Sequence, residues 1–308
     1  MVTYNSLFQL QIMMFLLIAI GYVLGKKNII TKEGRKSITD LIIHVILPCN
    51  IIVSFFIEMN LHILTSCFVI FLLSIGIQLF STFVGKYFYP HANERMLPVL
   101  RYATICSNGG FMGNPLVEGI YGSQGLLYAS IYLIPQRIVM WSAGLSCFTK
   151  AKGKEVIKKV ITHPCIIAVA IGLFFMITQI SLPVSFEKTL RTLSGCTTSL
   201  SMIIIGVILS EINAKTIFSK MNAYYCFIRL ILFPAIVLSI GMILHLDPLV
   251  TAVSVVLSGM PAGTTTAILA AKYDGDAHFA VKCVFLSTLL SLITIPLWCM
   301  IMELVLVL

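Results

Sequence analysis

Charge is the scarcest thing in this sequence: Asp, Glu, Lys and Arg make up 11% of its 308 residues, while 58% are hydrophobic and the mean hydropathy is +1.00. So little charge cannot cover the surface of a water-soluble domain, and an integral membrane protein is what remains. The nine cysteines stand singly, in no CxxC or Cys/His spacing, so neither a metal centre nor a disulfide framework is expected. They read as small buried hydrophobes. Enzyme signatures are missing too: no HExxH, no GxSxG, no Walker loop and no cluster of His with carboxylates, so neither an enzyme nor a cofactor is expected. No basic stripe interleaved with aromatics occurs, which argues against nucleic acid despite a net charge of +9. Carboxylates keep away from the middles of the apolar runs. Asp40, Glu58, Glu118, Glu211, Asp247 and Glu303 fall near their ends, and Glu33, Glu94, Glu155, Glu187, Asp274 and Asp276 in or beside loops. Carriers that exchange cations for protons need intramembrane carboxylates, so this counts against one.

What the chain does have is long apolar runs, ten of them, at about 6–25, 37–57, 62–88, 97–117, 124–148, 164–180, 190–210, 220–244, 249–271 and 279–305. Residues 1–11 carry no Lys or Arg and no small-residue cleavage site follows, so the first run reads as a retained helix rather than a signal peptide. Ten of the 21 Lys and Arg residues lie in "KKNIITKEGRK" and "KAKGKEVIKK", after the first and fifth runs. Lys86, Arg95, Lys215, Lys220 and Lys272 fall on the same side, against Lys188 and Arg191 on the other. The excess of basic residues makes the first side cytoplasmic and places both termini outside the cell membrane. The positive charge then lies beside anionic headgroups.

The halves of the chain resemble each other. "YGSQGLLYASIYLI" from Tyr121 and "YDGDAHFAVKCVFL" from Tyr273 lie 152 residues apart, and Gly21 and Gly172 lie 151 apart. Two repeats, 1–150 and 151–308, of five helices each are expected, the second inserted upside down because five is odd. In corresponding places the fourth run carries "SNGGFMGNPL" and the ninth "SGMPAGTTTAILA". Asn108, Gly109, Gly110, Gly113, Asn114 and Pro115 in the one, and Gly259, Pro261 and Gly263 in the other, interrupt apolar helices near their middles, with Thr264 a further candidate beside them. Asn is a preferred N-cap and Pro suits the first helical turn, so Asn114-Pro115 reads as the start of a half-helix, and Pro261 as the start of another. Interruption in both halves points to a binding site at membrane depth. Half-helix N-termini attract anions there.

Two arginines stand well inside apolar runs, away from their ends. Arg137 lies about halfway along the fifth and Arg229 five residues before Pro234 in the eighth; each is a functional candidate, although Arg229 could also snorkel to the cytoplasmic interface. His44 is either a proton carrier or a hydrogen-bonded structural residue. Asn50 and Ser54, four apart, share a helix face, either lining a pore or joining helices.

"SNGGFMGNPL", "YGSQG", "LIPQRIVMW", "RLILFP" and "SGMPAGTTTAILAAKYDGD" resemble the auxin efflux carrier family, which includes plant PIN auxin carriers and bacterial permeases associated with malate or malonate. The resemblance covers essentially the whole chain. The loop after the fifth run is short, about fifteen residues, where many plant members have a long hydrophilic domain. The resemblance implies an all-α membrane protein of ten helices in a five-plus-five inverted repeat, with helices four and nine broken and crossing at prolines. It implies a scaffold of helices one, two, six and seven, through which members dimerise, and a moving transport domain of the others. Asn108 matches the Asn that contacts the substrate carboxylate, Pro115 and Pro261 the crossover prolines, and Gln136 a substrate-facing Gln; Arg137 has no counterpart in that pattern. The function expected is secondary transport of a small organic anion by elevator-type alternating access in the plasma membrane, without a cofactor. A sodium- or proton-coupled cation antiporter of similar architecture, or a channel or sensor, is the alternative.

Overall fold

The computed structural model describes residues 4–57, 60–144, 146–148, 158, 161–210, 218–273 and 275–306. Among these the regular structure is entirely helical: α1 (Tyr4–Lys26), α2 (Lys32–Leu41), α3 (Leu47–Ser54), α4 (Leu61–Tyr87), α5 (Leu97–Ile105), α6 (Asn114–Val139), α7 (Pro164–Thr178), α8 (Val184–Ser210), α9 (Lys220–Phe227), α10 (Phe233–Ile243), α11 (Pro248–Ser258), α12 (Thr265–Lys272) and α13 (Ala277–Leu306). Among the described residues, five helical stretches are long and apolar enough to cross a membrane: Glu33–Ser54, Leu61–Tyr87, Val184–Ser210, Lys220–Ile243 and Ala277–Leu306. Of the residues weighed above, Glu58, Glu155, Glu211, Asp274, Lys215 and all of the basic cluster at 150–159 except Lys158 lie outside the described residues.

Wide π turns lie at Ile42–Ile46, Gly109–Gly113, Met140–Gly144 and Ile228–Leu232. The first, second and fourth each end two residues before a proline, namely Pro48, Pro115 and Pro234. Proline has no N–H to bond four residues back and its ring displaces that carbonyl, so the ladder opens by one residue. Leu47 N–H accordingly bonds Ile42 O, and Phe233 N–H bonds Ile228 O. Within α6, Gly122 stands at φ +66, a conformation that glycine alone adopts without strain. The apolar runs expected at 97–117 and 124–148 therefore meet at one glycine kink.

The fold divides into two compact units: Met1–Phe68, Gly110–Ile131 and Ile161–Glu211 in the first, Val69–Gly109, Tyr132–Val160 and Ile212–Leu308 in the second. Each takes helices from both halves of the chain. In the first unit α1 and α8 touch backbone to backbone. A Cβ on Gly21 would collide with Ile203 O, one on Gly206 with Ile18 O, and one on Gly25 with Ser210 Oγ. Small residues four apart on both helices allow this approach, which is how helices gain contact where lipid removes the hydrophobic drive. In the second unit Tyr102, Tyr132, Tyr225 and Phe233 are fully buried. Trp298 Nε1–H bonds Leu230 O at 2.8 Å and Ser74 Oγ–H bonds Tyr132 O, tying helices together through backbone carbonyls. Helix starts use side-chain caps: Asp247 Oδ1 accepts from Val250 N–H at 2.9 Å, and Ser219 Oγ from Asn222 N–H at 3.2 Å.

Candidate functional site

Within the second unit, α5 ends where Cys106 turns extended at φ −111, ψ 102, and α11 ends at Ser258, with six residues between it and the start of α12 at Thr265. Ser107 and Ala262 face each other in one isolated antiparallel bridge. Asn108 N–H bonds Pro261 O at 2.8 Å and Gly263 N–H bonds Cys106 O at 3.0 Å, one on either side of it. These bonds satisfy backbone groups that would otherwise be orphaned in apolar surroundings. A Cβ on Gly263 would lie 3.3 Å from Cys106 O and from Ser107 O, so glycine permits the approach. Pro261 does not begin a half-helix. It sits in the extended pair and contributes its carbonyl, where its missing N–H costs nothing. An α-helix does start at Asn114, but a π turn from Gly109 leads into it, and the Asn114 side chain caps nothing, both its polar atoms being unpartnered.

Side chains hold this pair from three directions. Gln136 grips Ser107 twice, accepting from Ser107 Oγ–H at 3.0 Å and donating Nε2–H to Ser107 O at 2.8 Å. Ser287 Oγ accepts from Ala262 N–H at 3.1 Å. Arg229, only 2% exposed, donates Nε–H to Met260 O and Nη1–H to Thr104 O, both at 3.0 Å. Its guanidinium also lies 5.2 Å from the Phe233 ring centroid. Thr104 belongs to the last turn of α5 and Met260 follows α11, so one cation serves the carbonyl ends of two helices. The alternative that Arg229 snorkels to an interface is thereby corrected: its two carbonyl partners draw it inward. The sequence hinted at this role only through an arginine within an apolar run.

Some donors here have no acceptor. Asn108 is 3% exposed and its Nδ2 is unpartnered, as is Nη1 of Arg137, which is 7% exposed. Each follows by one residue a partner in the Ser107–Gln136 clamp. Thr264 precedes α12 without a side-chain capping bond, and Thr266 Oγ1 is buried and unpartnered. Five sequence candidates, Asn108, Gln136, Arg137, Pro261 and Thr264, thus fall in the second unit at or beside the extended pair.

The other five, Asn50, Ser54, Gly113, Asn114 and Pro115, belong to the first unit. Asn50 joins helices: its Nδ2 donates to Glu118 Oε2 and to Ser194 Oγ, each at 3.0 Å. Ser54 Oγ–H turns back onto Ile51 O at 2.6 Å. Gly113 closes the π turn and Pro115 follows Asn114, both buried. His44 is exposed and its Nδ1–H bonds Asp40 O at 2.9 Å, the structural role of the two considered. Glu118 was missed as a site residue, because nothing in the sequence brings it to Asn50.

A family described as membrane transport protein matches residues 6–299. The chain belongs to this family. It is the auxin efflux carrier family that the motifs resemble, and its members are transporters, not enzymes. A relative in Methanothermobacter thermautotrophicus, an uncharacterized transporter, is 28% identical over 92% of this chain and 94% of its own. An uncharacterized transporter of Methanocaldococcus jannaschii is 24% identical over 93% and 96%. The uncharacterized transporter YfdV of Escherichia coli is 22% identical over 93% and 94%. The family membership gives the extended pair a setting: it belongs to a membrane transporter.

Proposed function

We propose that the protein is a secondary carrier of small organic anions, mono- or dicarboxylates, working by elevator-type alternating access. The observation that carries this reading is the pair of buried donors, Asn108 Nδ2 and Arg137 Nη1, left without acceptors beside the Ser107–Gln136 clamp. Unpartnered buried N–H groups are costly, and a carboxylate supplies the acceptors they lack. Gln136 positions the substrate segment rather than the substrate. Pro261 and Thr264 shape the ninth-helix side.

The reading takes ten membrane helices in two inverted repeats, with helix four interrupted at 106–108 and helix nine at 259–264. In it helices one, two, six and seven are the scaffold and the others the moving part; the first compact unit holds α1, α2, α3, α7 and α8 but also Gly110–Ile131, which the resemblance assigns to the moving helices. Both termini face outward from the plasma membrane, and two copies associate through scaffold helices. Uptake of labelled carboxylates into proteoliposomes tests the proposal, with Asn108→Ala expected to weaken affinity roughly 10- to 150-fold, the loss of one hydrogen bond to a charged group, at unchanged melting temperature. Saturable uptake of none of a panel of mono- and dicarboxylates, or single-channel currents in its place, overturns it.

A further inference from the structure

The first unit holds a polar seam that anion binding does not use. Asn50, fully buried on α3, bridges the Glu118 carboxylate on α6 and the Ser194 hydroxyl on α8. Every buried polar side-chain atom without a partner in this unit, among the described residues, lies on those three helices: Asn50 Oδ1, Asn114 Oδ1 and Nδ2, Thr197 Oγ1 and Ser201 Oγ. Asn114 stands one turn before Glu118, and Thr197 and Ser201 follow Ser194 by three and seven residues, so each set shares a helix face. Four of the five atoms are oxygens. Glu118 is half-buried and bonded to a neutral amide alone. Among the described residues no ion pair reaches it: α3 has no charged residue, and Glu187, Lys188 and Arg191 lie in the first turns of α8, where Arg191 pairs with Glu187 at 2.8 Å.

We propose that this seam binds a monovalent metal cation, sodium, through the Glu118 carboxylate, Asn50 Oδ1, and the hydroxyls of Ser194 and Thr197. A lone carboxylate inside a helix bundle needs one positive charge, and a divalent ion would leave a charge uncompensated. A bare proton would neutralise Glu118 but leave the surrounding oxygens unpartnered, whereas hard cations take several oxygen ligands. Asn50 supplies the change between the two states. Rotating its amide by half a turn exchanges Nδ2 and Oδ1: without the cation Nδ2 donates to Glu118, and with it Oδ1 turns toward the ion. Resting on the carrier reading, the site couples sodium to the anion and offsets its charge during transport.

The test needs no anion. Melting of the purified protein is followed in rising sodium, potassium or choline chloride at constant ionic strength, at two pH values. A saturable stabilisation by sodium is expected, with its midpoint raised more than about 10-fold in Glu118→Gln, the loss of a charged ligand, and raised to a smaller degree in Ser194→Ala, which is the milder change if Glu118→Gln folds poorly. Equal response to all three salts overturns the proposal in favour of buried water. A shift with pH but not with sodium, abolished in Glu118→Gln, overturns it in favour of a proton. Sodium stabilisation without uptake of any carboxylate would keep the cation site and sink the carrier reading; carboxylate uptake with no sodium stabilisation would do the reverse.

Discussion

Replacing Arg229 with Gln removes the cation that joins the carbonyl ends of α5 and α11. Each of its two bonds, to Thr104 O and Met260 O at 3.0 Å, has a charged donor and is worth about 1.5–3 kcal/mol. The Phe233 ring at 5.2 Å adds about 1 kcal/mol. These contributions share one guanidinium and do not add fully, so a loss of about 3–5 kcal/mol is expected, with two buried carbonyls left unpaired. For a chain of this size that lowers the melting temperature by roughly 5–15 °C. Arg229→Lys keeps the charge but reaches fewer acceptors, because an ammonium lacks the planar fork; it should recover about half of the loss. The assay is thermal unfolding of the purified protein alongside anion uptake. Both variants should melt early, in the order Gln below Lys below Arg, and the maximal uptake rate should fall with stability. A Gln variant that melts like the parent while losing anion affinity would refute the account, since Arg229 would then act on substrate and not on the two helix ends.

Substituting Gln136 by Glu keeps an acceptor for Ser107 Oγ–H but sets a carboxylate against Ser107 O, so anion affinity should drop further than in Gln136→Ala; equal affinities in uptake assays would count against the clamp. Gly206→Leu should separate α1 from α8 and cost at least about 1–3 kcal/mol by overpacking, read as a lower melting temperature, and an unchanged melt would mean the helices do not touch there. Arg137→Gln should lose affinity for dicarboxylates more than for monocarboxylates at normal stability, with Arg137→Lys retaining weak transport; equal losses for both anions would remove Arg137 from the site. Placed near residue 247, a single added cysteine should label only from outside, and labelling only from the cytoplasm would reverse the orientation.

Much of the site was legible as composition. Asn108, Pro261 and Thr264 stood out as polar or helix-breaking residues within apolar runs, Gln136 only through the family motif, and the four do lie at or beside one place. What the sequence misread was the local geometry. Pro261 and Asn114-Pro115 looked like helix starts because Pro and Asn favour first turns in isolated helices. In the fold the chain stays extended through Pro261, since pairing with Cys106–Asn108 satisfies its neighbours' backbone groups, and α6 does begin at Asn114 but continues a π turn from Gly109, so the Asn114 side chain has nothing to cap. Arg229 and Glu118 were ambiguous for the same reason: a run of letters states that a charge is within or near an apolar helix, but not what faces it.

By itself the sequence determined that this chain is helical and apolar enough for a membrane, and it marked Ser107–Pro115 and Gly259–Thr264 as helix-breaking stretches. These follow from hydropathy, run length and the covalent restrictions of Pro and Gly, which act within a few residues. Only the tertiary structure decided which groups are spent and which are left over. Gln136 is used up on Ser107 and Arg229 on two carbonyls, while Asn108 Nδ2, Arg137 Nη1 and Asn50 Oδ1 remain unpartnered. Hydrogen bonds between residues 29, 125 or 144 apart depend on how helices pack. Side-chain spacing along one helix carries no information about the face of another.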